Sequence, residues 1–344
     1  MLTRPFICSS MLAASLAAPA WAGDTQTGTV SAVVLPGAPG DGVALDYIAI
    51  DRAHDRVWVP AGGTGRVDVI DTKTKEVRAI EKFATADVER QGRKRTIGPS
   101  SASVGAGFVY VGNRADSNVC AVDASALTVA GCVKLPSSPD GVVYVGSAHE
   151  VWVTAPHDKT MFVLDVSTPG VPKVAGSFTM EGEPEGYAVD EGRGLFYTNL
   201  EDKDRTLKID VKSRRVVSTW MPACGGDGPK GLALEPAEQL LIVACPDHIE
   251  VLDAGKDGKI ISKLDTGDGV DNLDYLTTQR SVYAAAARAA KMTVARVDSK
   301  GILTQAWSSP TAKGARNAVA ASDGVAYVAD GPEGKVLVVK PAGR

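Results

Sequence analysis

The side chains best suited to shared chemistry form a spaced series of ionisable residues, Asp46, Asp140, Glu185, Lys230, Asp271 and Arg316, with Ser100 filling the gap after Asp46. Carboxylates brought close together repel unless one is protonated or a cation joins them. Asp140, Glu185 and Asp271, with the amide oxygen of Asn272 beside the last, are therefore a ligand set for a calcium-like divalent cation, which takes several oxygens. Lys230 and Arg316 suit the opposite outcome, a ring that neutralises itself, with Lys230 between Glu185 and Asp271 and Arg316 between Asp271 and Asp46. In such a ring Asp140 and Glu185 stay adjacent without a cation of their own. Catalysis by a serine or cysteine nucleophile has poorer material, because it needs a base beside the nucleophile and the chain has 4 histidines. No Walker, dinucleotide-binding or haem-attachment motif is present.

What would bring these residues together is a repeat. The chain restates one phrase seven times: a turn, an apolar strand, a second strand carrying an aromatic residue, and a third strand ending in Asp. The second strands read RVWV from Arg56, FVYV from Phe108, EVWV from Glu150, LFYT from Leu195, LLIV from Leu240, SVYA from Ser281 and VAYV from Val325. Their apolar alternation has the period of strands. The third strands end at Asp71, Asp123, Asp165, Asp210, Asp253 and Asp298, spaced by 52, 42, 45, 43 and 45 residues, and the seventh unit ends at Lys340. That spacing is the length of a four-stranded propeller blade. The last unit supplies three strands, and Thr27 to Leu35, TGTVSAVVL, has the composition to supply its fourth. The fold predicted is all-β, a seven-bladed β-propeller in one domain over residues 23–344, closed by an N-terminal strand that completes the last blade.

The phrases VYVGN ending at Asn113, FYTN ending at Asn199 and AYVAD ending at Asp330, with the VID-type strand ends, resemble the YVTN or YncE-like family of seven-bladed propellers across nearly the whole chain. The resemblance implies an exported propeller and leaves the activity open, since propellers host unrelated functions. The dipeptide Asp271-Asn272 in GVDNLDY is similar to the Asp-Asn motif of SMP-30-like lactonases and paraoxonases, propellers that hold a divalent metal on their axis. That second resemblance implies a metal-dependent hydrolase of lactones or esters.

In a propeller the starts of the innermost strands and the loops between second and third strands share one face. The ionisable series then lines the axial mouth, followed by Tyr47, Ser101, Gly141, Gly186, Gly231, Asn272 and Asn317. His157 and His248 fall on mouth-side loops, His54 and His149 on the opposite face, and His157 is retained as a ligand-binding candidate. The strand-end aspartates read as turn openers, because Asp accepts bonds from backbone amides two residues on. Asn113 and Asn199 read as turn residues too. The connection from Glu81 to Ile97 departs from the repeat in length and charge, with Arg90, Arg93, Lys94 and Arg95, and is expected to project over the mouth rim.

The chain of 344 residues carries a formal charge of −4 with 44% hydrophobic and 6% aromatic residues. It has no clustered basic face, so nucleic acid is a poor partner. Residues 1–22 read as a signal peptide: Arg4, a short apolar stretch, then Ala20-Trp21-Ala22 before a cut. No later segment approaches a membrane span. A periplasmic or secreted monomer is expected, engaging a small ligand or an exported protein partner. Beyond the leader four cysteines remain, and export predicts two disulfides. Cys120 and Cys132 lie symmetrically about a turn near Ala126; Cys224 and Cys245 both reach the mouth face. These are the pairings predicted.

Overall fold

The structure is a computed structural model that describes residues 27–90 and 92–341. The expected signal peptide, with its cut after Ala22, lies outside the described residues. Within them the chain forms seven four-stranded antiparallel sheets and one two-stranded hairpin. Blades 1 to 6 run from the innermost strand outward in chain order. Their innermost strands are Ala49–Asp51, Pro99–Gly105, Val142–Val145, Pro184–Asp190, Leu232–Glu235 and Val270–Leu276. Blade 7 takes Arg316–Ala320, Ala326–Asp330 and Lys335–Lys340 from the end of the chain and Thr29–Val34 from its start. The N-terminal strand pairs antiparallel with the last one, Thr29 opposite Lys340 and Val34 opposite Lys335, as the missing fourth strand required. No helix among the described residues is long and apolar enough to cross a membrane.

A single blade has two apolar faces and can bury neither alone, which is why the repeats stack. Seven core clusters result, one at each interface between neighbouring blades. The third residue of each second strand is the recurring contribution: Trp58, Tyr110, Trp152, Tyr197, Ile242, Tyr283 and Tyr327 are all inaccessible or nearly so. Two of the tyrosines also use their polar tips to join blades. Tyr283 donates to the carbonyl of Gly324 at 3.3 Å, joining blades 6 and 7, and Tyr327 donates to that of Thr72 at 3.1 Å, joining blades 7 and 1. Ile242 keeps the packing role without that bond.

The strand-end aspartates open turns as expected. Asp71 accepts from the amides of Lys73 and Thr74, Asp123 from Ser125 and Ala126, Asp165 from Ser167, Asp210 from Ser213 and Asp253 from Gly255. Asp298 takes the amides of Lys300 and Ile302, both at 2.8 Å. The Ile302 amide leads in holding the Asp298 carboxyl below the usual range. A depressed native value adds stability above the unfolded pKa and loses it as pH falls through the native one. Asp298→Ala is therefore expected to lower the melting midpoint slightly at neutral pH, with the difference from wild type fading in acid; thermal unfolding across pH checks this.

Both predicted disulfides are present, Cys120–Cys132 between directly opposed residues of blade 2 and Cys224–Cys245 on the mouth face of blade 5. The connection from Glu81 to Ile97 is more ordered than a loop. It contains a hairpin, Ala86–Arg90 against Arg93–Ile97, in which Glu89 faces Lys94 and Thr96 donates to Asp87 at 2.8 Å. Its base lies on the mouth-side turn Gly62–Thr64, where a Cβ on Gly63 would meet the Thr96 carbonyl at 2.7 Å.

Candidate functional site

The innermost strands converge at the axis, and a circuit of bonds fixes their first residues. The amide of Tyr47 donates to the carbonyl of Ser100 at 3.1 Å and that of Gly231 to Asp271 at 2.8 Å. The amide of Asn272 donates to the side chain of Asn317 at 3.1 Å, and Asn317 Nδ2 donates to the Asp46 carbonyl at 3.0 Å. Backbones can approach this closely because side chains are missing where they would collide. Gly186 adopts φ +61°, and a Cβ there would stand 2.2 Å from the Lys230 carbonyl.

On this frame Asp46, Asp140, Glu185, Lys230, Asp271 and Arg316 surround the mouth, as the strand alignment predicts. Arg316 does bridge two of them, 2.9 Å from Asp271 and 3.6 Å from Asp46. Three features differ from the expected ring. Arg114, which the alignment passes over, reaches in from the mouth-side loop of blade 2, forming an ion pair with Asp46 at 2.7 Å and another with Asp140. Asp140 thus has the cation that the strand starts alone could not supply. Lys230 pairs with Glu201, on the mouth-side loop of blade 4, in place of Glu185. Glu185 instead accepts a bond from the hydroxyl of Tyr47, whose ring stacks on Tyr187 with centroids 5.7 Å apart.

Arg114 follows Asn113 directly, and Glu201 follows Asn199 by two residues, so both are charged residues just past second-strand ends. That position was the legible signal. Asn113 opens a turn as expected, its Oδ1 accepting the Ala115 amide at 2.9 Å, and both asparagines are also buried links: Asn113 Nδ2 donates to the Ala84 carbonyl at 3.1 Å and Asn199 Nδ2 to that of Lys230 at 2.5 Å. His157 sits exposed in the mouth-side turn Pro156–Asp158, and none of the ring's bonds or ion pairs involves it. On the opposite face His54 bonds Asp51 at 2.8 Å and His149 closes a turn with its backbone amide. Of the metal-ligand set, Asp140 and Asp271 are held by guanidiniums, Glu185 by a phenol, and Asn272 Oδ1 accepts the amide of Leu273 at 2.9 Å.

Four carboxyls, Asp46, Asp140, Glu185 and Asp271, face two guanidiniums in this enclosed space. Burial pushes the Glu185 carboxyl well above its usual value near 4.5, and the Asp140 and Asp271 charges add to the push against the opposing Tyr47 bond. Burial also raises Asp140 and Asp271, outweighing Arg114 beside the first and Arg316 beside the second. A carboxyl raised in the native state contributes stability below its unfolded pKa and loses it as pH rises through the native value. Glu185→Gln keeps the shape and cannot ionise. Its melting midpoint is expected to exceed that of wild type at neutral and alkaline pH, with the advantage shrinking toward pH 4.5; an advantage that does not change with pH would show that Glu185 charge is not the cause.

From the ring a groove of about 530 Å³ runs outward between blades 4 and 6, lined by Glu201, Asp202, Asp227, Lys230, Asp271 and Arg316 among others. Its carboxylates outnumber its cations. The mouth is therefore an acidic funnel, suited to receiving a positively charged group.

Comparison with solved structures places this architecture among propellers. The chain is similar to a chain from a crystal structure of the mitotic checkpoint complex, at 15% identity with a TM-score of 0.71, covering 98% of each chain. It is also similar to hydrazine synthase of Kuenenia stuttgartiensis, at 14% identity and TM-score 0.70 over 90% of this chain and 99% of that one. A third likeness is to the β-propeller domain of Myceliophteria thermophila Cps50 (Swd1), at 12% identity and TM-score 0.67 over 92% and 99%. At such identities the likeness is one of fold. No family model and no curated protein matches the chain.

Proposed function

We propose that this chain is an exported, YVTN or YncE-like binding propeller that engages a cationic group of a small ligand or a partner protein at its axial mouth. The observation that carries the reading is the acidic groove that meets the axial ring at Asp271, where two guanidiniums stand against the four carboxyls of Asp46, Asp140, Glu185 and Asp271. Keeping like charges together in an enclosed site costs stability, and such arrangements concentrate at functional sites. Export is supported by Ala20-Trp21-Ala22 and by the two disulfides. The similar chain from the mitotic checkpoint complex offers a parallel for this fold inside an assembly.

Calorimetric titration with a polyamine and with an arginine-rich peptide tests this. Binding to wild type is expected, with Asp271→Asn and Glu201→Gln each weakening it about tenfold, the equivalent of about 1.4 kcal/mol. Asp253→Ala, altered in a turn on the opposite face, should bind as wild type does. Absence of heat from every cationic probe would overturn the reading.

A second reading, a calcium-like ion supporting lactone or ester hydrolysis, draws on Asp271-Asn272 and on the three carboxyls raised together. The guanidiniums already seated on Asp140 and Asp271 weigh against it. Uptake of calcium, magnesium or manganese by wild type, lost in Glu185→Ala and Asp271→Ala and accompanied by chelator-sensitive turnover, would favour it over the first.

A further inference from the structure

Blade 5 gathers four side chains of metal-ligand type beside the mouth that the axial site does not use. Cys245 directly follows the second strand, and His248 begins the third, His248–Asp253. The turn between them is closed by a bond from the Cys245 amide to the His248 carbonyl at 2.9 Å. The period-two alternation of the strand then sets Glu250 on the same face as His248, and the disulfide adds Cys224. The two sulfurs and a Glu250 oxygen all lie within 4.8 Å of one another, and His248 Nε2 is 3.7 Å from Glu250 Oε2.

Glu250 is fully inaccessible, and neither of its oxygens, nor His248 Nε2, has a hydrogen-bond partner. Lys263, opposite on the outer strand, comes within 2.7 Å of Oε2 as an ion pair without hydrogen-bond geometry, and 43% of its side chain is exposed. A buried carboxylate left without hydrogen bonds is costly. The other nitrogen of the histidine, Nδ1, is held by Asp247 at 2.6 Å, the carboxylate–histidine arrangement that orients a metal-binding imidazole and leaves Nε2 as its free donor.

We propose that the dithiol form of Cys224 and Cys245, together with His248 and Glu250, is a tetrahedral site for a zinc-class metal ion, and that the disulfide is its closed, metal-free state. Two sulfurs, one imidazole nitrogen and one carboxylate oxygen are a donor set that zinc accepts. At metal–ligand distances of about 2.0–2.3 Å the donors of a tetrahedron stand roughly 3.3–3.8 Å apart. His248 Nε2 and Glu250 Oε2 already stand 3.7 Å apart and the sulfurs lie within 4.8 Å of a Glu250 oxygen, so binding requires the two sulfurs to separate and the imidazole to close toward them.

Two molecules of a low-molecular-weight thiol supply the reduction. One attacks Sγ of Cys224, the half-buried member of the pair, on a segment that includes Gly225, Gly226 and Gly228; Cys245, fully buried, leaves as the thiolate. The second thiol releases Cys224. The small disulfide carries away the oxidised sulfurs, and the two thiol protons remain on the protein. Zinc displaces both protons, and Lys263 gives up Oε2 to solvent-facing freedom. A small disulfide accepting two electrons reverses the sequence and expels the metal. Gly226 and Pro246 line the mouth groove, so the state of the site alters a wall of that groove.

The test uses the full chain, reduced with a phosphine under argon and titrated with zinc or cobalt(II) alone. Reduced wild type is expected to take up one ion per chain with release of two protons and, for cobalt, a thiolate-to-metal charge-transfer band. The oxidised chain should take up none. Cys224→Ser and Glu250→Gln should each weaken uptake beyond the roughly 10–100-fold that loss of a supporting group costs, whereas Cys120→Ser/Cys132→Ser should retain it. If reduction loosens the fold, near-ultraviolet dichroism should recover on adding zinc. Absence of uptake, absence of that recovery, or uptake indifferent to both Glu250→Gln and His248→Gln would overturn the proposal.

Discussion

Arg114→Ala is expected to destabilise the protein by about 2–4 kcal/mol at neutral pH, the largest single-residue effect at the mouth. Removing one partner of a buried ion pair costs about 3–5 kcal/mol because the other charge is stranded; the Arg114 side chain is 29% exposed, so solvent returns part of that. Here two carboxylates are stranded at once, Asp46 and Asp140, which are 15% and 16% exposed. Asp140 is already raised by burial with Arg114 in place, and removal of the guanidinium raises it further. By the same linkage as for Glu185, the deficit should be greatest at neutral and alkaline pH and shrink as acid protonates Asp140. Arg114→Lys should recover only part, since the single Nη2 that meets both carboxylates belongs to a guanidinium, more weakly hydrated than the ammonium that would replace it. Chemical denaturation of the three proteins between acid and neutral pH measures this. A variant as stable as wild type at pH 7 would show that the bridge contributes nothing.

Deleting the closing strand is expected to do more damage still. A chain beginning at Pro36 loses six paired positions along Lys335–Lys340 and the burial of Val33 and Leu35 against Val336 and Val338. The two side chains alone account for about 3–6 kcal/mol at roughly 1.5–3 kcal/mol each. The remaining edge, KVLVVK, is apolar and unpaired, a template for other chains. The truncated protein should therefore melt well below wild type and elute partly as aggregates on size exclusion. Normal melting and a single monomer peak would mean that the ring is held shut by the blade 7 to blade 1 core without its strand.

Much of the fold was legible because it is written in local periods. Alternation every second residue marks strands, repetition near 45 residues marks blades, and a unit short of one strand next to an unassigned N-terminal strand leaves one way to close the ring. The disulfides followed from that register, since Cys120 and Cys132 must face each other across a turn once the strands are placed. Turn aspartates were legible for the same reason: their bonds reach two to four residues along the chain.

The hairpin at Ala86–Ile97 was missed because its cross-strand pairs, Glu89 with Lys94 and Asp87 with Thr96, are charged and polar and give no apolar alternation to read. Sequence alone determined the seven blades, their closure, the disulfides and which residues begin the strands around the mouth. Only the tertiary structure decided which of those residues touch. Arg114 meets Asp46 across 68 positions of sequence, Tyr47 meets Glu185 across 138, and Lys230 turns outward to Glu201. Strand periodicity sets where a backbone enters the axis. The partner a side chain then takes depends on its length, its rotamer and the loops that lean over the mouth from neighbouring blades, and no local pattern carries that information.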